Sequence, residues 1–180
     1  MTPLFVTFIC TGNRFRSPLA ESLLRNAVDS AVVTTESMGT LELGSVPPLP
    51  EAVAAARRFG LDLSSHRARP LTGSDLSERD LVLGFERMHV ITAVVDAKAP
   101  RDRTFTLPEL IGLLSDPDPP ALTSPQARIR EAALRRSPDP GLGSIPELAD
   151  PLRRSHAEQE WIADEIDRLV RRLARLLFGR

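Results

Sequence analysis

An apolar run, Leu4-Phe5-Val6-Thr7-Phe8-Ile9, stops at Cys10-Thr11-Gly12-Asn13-Arg14-Phe15-Arg16-Ser17 and gives way at once to Pro18. The run is short and rich in β-branched and aromatic residues, which predicts a buried strand. Pro18 suits a first helical position, with Ser17 as the capping residue before it. Leu19, Ala20, Leu23, Leu24, Ala27 and Val28 then recur at helical spacing. A strand that turns through so short a loop into a helix is the opening of a βαβ unit. The same alternation continues, with strands expected at 31–35, 81–85 and 103–107. Helices are expected at 50–59, where Gly60 is a natural stop, at about 88–95 and after Pro108. Strands alternating with helices imply an α/β fold with a parallel, doubly wound sheet.

Two further stretches complete the organisation. From about 115 to 146 the chain is rich in proline and reads as a surface insertion with one helix at Gln126 to Arg136. After it, Trp161, Ile162, Ile166, Leu169, Val170, Leu173 and Leu177 trace one face of a long amphipathic helix. The 180 residues suit one domain carrying that insertion. Lys and Arg number 23 against 24 Asp and Glu, a balance that argues against a nucleic-acid partner. No apolar run reaches the roughly 20 residues that cross a bilayer, so no membrane partner is expected. The single cysteine cannot form an internal disulfide, which fits a cytoplasmic setting.

In an open α/β sheet, ligands sit beyond the carboxyl ends of the strands, where Cys10 stands. A tight loop there turns successive backbone N–H groups inward and makes a cradle for a phosphate-sized anion, with the positive end of the helix dipole behind it. The same field favours Cys10 as thiolate, the nucleophilic form. The cradle spans Thr11, Gly12, Asn13, Arg14 and Phe15. Arg16 offers a planar fork to two phosphate oxygens, Ser17 can donate to the thiolate, and Gly12 permits unusual backbone angles. No metal cluster is present and the chemistry needs no cofactor.

The stretch from Phe5 to Leu24 resembles the signature of the low-molecular-weight protein tyrosine phosphatases. Ser37-Met38-Gly39-Thr40 is similar to that family's Ser-Ala-Gly-Thr segment, and Gly60-Leu61-Asp62-Leu63-Ser64-Ser65-His66-Arg67-Ala68-Arg69 to its second signature. The resemblance implies a single three-layer α/β domain, a four-stranded parallel sheet flanked by helices in the flavodoxin-like arrangement. It implies hydrolysis of phosphotyrosine on a protein or peptide through a phosphocysteine, with phosphate or a similar oxyanion in the site. It also implies that Asn13, Ser37 and His66 form the hydrogen-bond network supporting the loop. Taken alone, His66 reads as a surface histidine; His89 and His156 are expected on helix surfaces. The family's general acid is an Asp before Pro, ahead of the last helix. Asp150 fits that spacing best and Asp139 is the alternative, whereas Asp116 and Asp118 read as turn formers.

The chain departs from the family in three places. Phe15 stands where a second cysteine is usual. The chain has no tyrosine, and Leu41-Glu42-Leu43 and Leu152-Arg153-Arg154 replace aromatic residues of the rim, so ring stacking would fall to Phe15 or be weaker. Arg14 stands where related protein-arginine phosphatases carry Thr. Facing the pocket it would repel a guanidinium and, with Arg153 and Arg154, favour acidic phosphopeptides; facing solvent it would do neither. Three other activities remain open: protein-arginine phosphatase, thiol-dependent arsenate reductase, and a catalytically weak module that binds phosphate or phosphoproteins.

Overall fold

The computed structural model describes residues 3–115, 124–136 and 145–179. Four strands, β1 (Leu4–Cys10), β2 (Val33–Gly39), β3 (Leu81–Gly84) and β4 (Thr104–Thr106), form one parallel sheet in the order β2-β1-β3-β4. Among the described residues six α-helices accompany them: α1 (Arg16–Ala27), α2 (Pro50–Arg58), α3 (Arg87–Asp96), α4 (Leu107–Leu114), α5 (Pro125–Arg135) and α6 (His156–Phe178). Both faces of β1 are covered, which is why its sequence is nearly continuous in apolar residues. Leu4, Val6, Phe8 and Cys10 pack with α1, α4 and α6, whereas Ile9 packs with Val82, Leu71, Leu76 and Ala93 of α3 on the other side. The sheet is therefore the middle of three layers.

The register brings the site together. Cys10 pairs with Gly39 at the end of β2, and Ile9 pairs with Gly84 at the end of β3. The chain runs from β1 to β2 on one side, then returns to β3 on the other. The strand order thus reverses between β1 and β3, opening a crevice at their carboxyl ends.

Element boundaries moved where local signals competed with tertiary ones. The second strand lies at Val33–Gly39 instead of 31–35, because pairing with β1 recruits the polar Glu36 and Ser37. The first helix begins at Arg16, with Phe15 in the cap position and no side-chain cap. Ser17 is inside the helix, and its hydroxyl turns to Cys10 instead of capping. Trp161 does not belong to the buried face of α6; it is 61% exposed, while Ile162, Ile166, Leu169, Val170, Leu173 and Leu177 are buried. The helix expected inside the insertion is α5, whereas Asp116, Asp118 and Asp139 lie outside the described residues.

Candidate active site

Cys10 is buried at the last position of β1, and its Sγ lies 3.0 Å from Oγ of Ser17. Which of the two donates follows from the chain of bonds behind them. A Glu21 carboxylate has only acceptors, so Ser37 Oγ must donate to its Oε2, at 2.6 Å. Ser37 Oγ in turn accepts from Nδ2 of Asn13 at 2.8 Å, and the second Nδ2 proton of Asn13 goes to Ser17 Oγ at 2.9 Å. Ser17, already an acceptor, has its own proton for Sγ; the alternative acceptor, Met38 O, is at 3.4 Å. The network thus leaves Ser17 Oγ with a proton that can be donated to Cys10 Sγ.

Asn13 is the hub of the loop. Its φ of 52° is left-handed, a region that asparagine tolerates better than most residues. Its Oδ1 accepts from Arg69 N at 2.9 Å, and its carbonyl lies 2.8 Å from Nε2 of His66. The three residues expected to support the loop, Asn13, Ser37 and His66, are brought together. Burial lowers the His66 pKa from its ordinary value, which keeps the ring neutral with Nε2–H free to donate to that carbonyl. Glu21 and Arg69 also belong to this network, the latter through its backbone and through a 3.0 Å bond from Nη2 to Ser37 O. Glu21 is a carboxylate buried in α1, whose first nine residues are all buried, and a buried carboxylate calls for such partners.

Gly39 sets the depth of the loop. A Cβ there would lie 2.9 Å from Asn13 N and 3.0 Å from both Asn13 Cβ and Gly12 C. Backbone on the far side cannot yield without moving the cradle. Gly39→Ala is expected to cost about 1–3 kcal/mol of stability and to weaken phosphate binding, read by thermal denaturation and by calorimetric titration with phosphate. An unchanged affinity would show that the loop tolerates the shift.

Arg16 is 1% exposed and held on several sides. Nη1 donates to Leu148 O at 2.9 Å and pairs with Glu86 Oε1 at 3.1 Å. Nη2 lies 3.3 Å from Thr11 Oγ1 and 2.5 Å from Asp150 Oδ2. The side chain also passes 5.8 Å from the Phe85 ring centre. Asp150 is placed by a bond from Leu152 N to its Oδ1 at 2.8 Å. Asp150, one of the two Asp-Pro candidates, lies against Arg16 of the cradle, whereas the other, Asp139, lies outside the described residues. Glu86 was missed because it is an ordinary acidic residue before a helix until the fold sets it against Arg16.

Two expectations are corrected. Phe15 is 4% exposed and packs into the core; its ring borders α2 and α6 near Ala54, Ala55 and Gln159, so it is no wall for a substrate ring. His89 is 2% exposed rather than on a helix surface, while His156 is exposed as expected. Arg14 is half-buried. Its Nε donates to Pro47 O at 2.8 Å and its stem runs beside Gly12. Leu43 Cδ1 also lies against Gly12, and Leu41 N bonds Thr11 O at 2.9 Å. Leu41, Leu43 and Leu152 are exposed, so each flanking segment presents an aliphatic side chain beside its charged neighbours Glu42, Arg153 and Arg154.

A cysteine at the end of a central strand, over a loop whose helix carries no side-chain cap, and beside an arginine and a carboxylate, defines an α/β domain built to handle a phosphate-like anion. The model of the low molecular weight phosphotyrosine protein phosphatases matches residues 5–118, and the chain belongs to that family. It is 40% identical over 78 residues to a probable low molecular weight protein-tyrosine-phosphatase, EpsP, of Ralstonia solanacearum, a match covering 43% of this chain and 52% of that protein. The chain therefore spans about half the length of such relatives. It is 26% identical over 174 residues to the protein-arginine-phosphatase of Bacillus subtilis, covering 96% of this chain and 95% of that one. Its fold is similar to the crystal structure of a low molecular weight protein tyrosine phosphatase from T. tengcongensis, with a TM-score of 0.70 at 25% identity, covering 97% and 99% of the two chains. No helix among the described residues is long and apolar enough to cross a membrane.

Proposed function

We propose that the protein is a cysteine-dependent phosphatase that hydrolyses phosphotyrosine or a related phosphate monoester on a protein substrate. The observation that carries this is the hydrogen-bonded chain Glu21–Ser37–Asn13–Ser17–Cys10, which sets the Ser17 hydroxyl against one cysteine at the foot of an anion cradle. The thiolate attacks phosphorus from the side opposite the ester oxygen, forming S–P as P–O breaks. Asp150 gives its proton to the departing oxygen. A water then attacks the phosphocysteine, Asp150 takes its proton, and phosphate leaves as Ser17 steadies the returning thiolate. Arg16 and the N–H groups of residues 11–16 stabilise the three equatorial oxygens throughout. A phosphate entering the cradle takes Asp150's place on Nη2 of Arg16, which frees the carboxyl for the leaving group. We place this activity in the cytoplasm, where a lone thiol stays reduced.

A second reading, phosphoarginine as substrate, draws support from the exposed aliphatic side chains of Leu41, Leu43 and Leu152 and from the Arg14 side chain, whose Nε is tied to Pro47 O. The test is hydrolysis of a small aryl phosphate by wild type and Cys10→Ser, followed by phosphotyrosyl and phosphoarginyl peptides. Activity is expected in wild type and none in Cys10→Ser. A folded wild type that binds phosphate but turns nothing over would leave a phosphate-binding module.

A further inference from the structure

His89 occupies the first turn of α3, in the crevice between β1 and β3, and faces the cradle from the side opposite the Asn13 network. Its Nδ1 receives two backbone protons, from Phe85 N at 3.2 Å and Glu86 N at 3.1 Å. A ring nitrogen that accepts in this way carries no proton, so the proton of the neutral ring is on Nε2. Nε2 lies 3.1 Å from Thr11 Oγ1, with Glu86 Oε2 farther off at 3.4 Å. Thr11 is the residue after the nucleophile, and its hydroxyl is also 3.3 Å from Nη2 of Arg16.

A hydroxyl has two lone pairs and one proton. With His89 and Arg16 both donating to Thr11 Oγ1, the Thr11 proton is left for an acceptor in the half-open cradle. We propose that His89 is a positioning residue of the phosphate site, holding the Thr11 hydroxyl as a hydrogen-bond donor to the bound oxyanion. The inference rests on reading the loop as an oxyanion site, and not on turnover.

Two further observations fit a fixed donor. Gly84 lets the ring approach: a Cβ there would lie 2.8 Å from His89 Cβ. The ring also stays neutral, its pKa lowered to about 4 by burial first and the Arg16 charge second, against the opposing pull of Asp150. The charged groups around it are Glu86 on its own turn, Arg16 from α1 and Asp150 from the loop before α6. None reverses the tautomer at neutral pH, since the two backbone N–H groups continue to occupy Nδ1.

The test is inorganic phosphate binding to the full chain by titration calorimetry, with folding checked by circular dichroism. His89→Asn keeps an acceptor near the Nδ1 position but no donor reaching Thr11, and is expected to weaken phosphate about ten-fold or more. His89→Gln, whose amide N–H approximates Nε2, should recover most of that loss. Thr11→Val leaves the ring and its backbone bonds intact and should weaken phosphate to a similar extent. The double variant His89→Asn with Thr11→Val should be no weaker than Thr11→Val alone. Wild-type affinity in either single variant, or losses that add in the double variant, would overturn the proposal. Should His89→Asn not fold, Thr11→Val alone still decides: wild-type affinity there refutes a donating hydroxyl, and a ten-fold loss supports it. A chain that binds phosphate with this pattern but hydrolyses no ester would refute the enzyme and leave the role of His89 standing.

Discussion

Arg16→Lys is expected to lower kcat/KM for an aryl phosphate by roughly 10²–10³-fold, the range for removing one preorganised anion donor. The substitution keeps a positive charge, so the neighbouring Glu86 and Asp150 are not left without a counter-ion. What it removes is shape. The guanidinium holds Leu148 O and Glu86 with one terminal nitrogen and reaches Thr11 and Asp150 with the other. An ammonium is a single point with three donors, and cannot keep the loop before α6 in place while also gripping two phosphate oxygens. The loss should fall mostly on kcat, because the equatorial oxygens carry the developing charge in the transition state. Steady-state kinetics on the purified variant, with its melting temperature as a control, would check this. A variant within ten-fold of wild type would mean that the backbone N–H groups alone hold the phosphate.

The loop was legible because its information is local. Cys10, Arg16 and Ser17 stand within one turn of chain between a strand and a helix, and each residue type has a distinct chemical reason to be there. The carboxyl-end position followed from the β1–α1 succession alone. What escaped the sequence is non-local. Glu86 and His89 meet the cradle only because β3 pairs with β1 and delivers the first turn of α3 beside Thr11. His89 has the surroundings of a helix-surface residue in sequence, between Met88 and Val90, and nothing there announces that the backbone N–H groups of Phe85 and Glu86 will turn onto its ring. Phe15 failed as a wall for the same reason. Its cap position gives its backbone to the cradle and its ring to the core, a division that spacing cannot reveal.

The helix boundary carries a related lesson. Ser17 before Pro18 has every local mark of a cap, yet the helix starts earlier and leaves the hydroxyl to Cys10. A side-chain oxygen at the cap would satisfy the first N–H groups of α1 and compete with an oxyanion for them. The structure instead puts the hydrophobic Phe15 there. Stability at the helix terminus is given up where an anion is to bind, and the sequence rule is broken at the site, where breaks of that kind are expected.

Asp150→Asn should reduce turnover by about 10²–10⁴-fold for phenyl or alkyl phosphates, the usual worth of a positioned proton donor. The loss should shrink for a nitrophenyl phosphate, whose anion departs without needing the proton. The reason lies in how Asp150 is held: Oδ1 takes the N–H of Leu152, and Oδ2 points onto Arg16 at 2.5 Å. The carboxyl therefore already stands where one phosphate oxygen will be, and a small displacement by the incoming ester sets it against the leaving group. Asparagine keeps the size and the Leu152 bond but has no transferable proton. A plot of rate against leaving-group basicity should steepen in Asp150→Asn and stay parallel to wild type in Asp139→Asn. Steepening in Asp139→Asn instead would move the acid to that residue and reduce Asp150 to a counter-ion of Arg16. Unchanged slopes in both would mean that the ester oxygen leaves without protonation from either side chain.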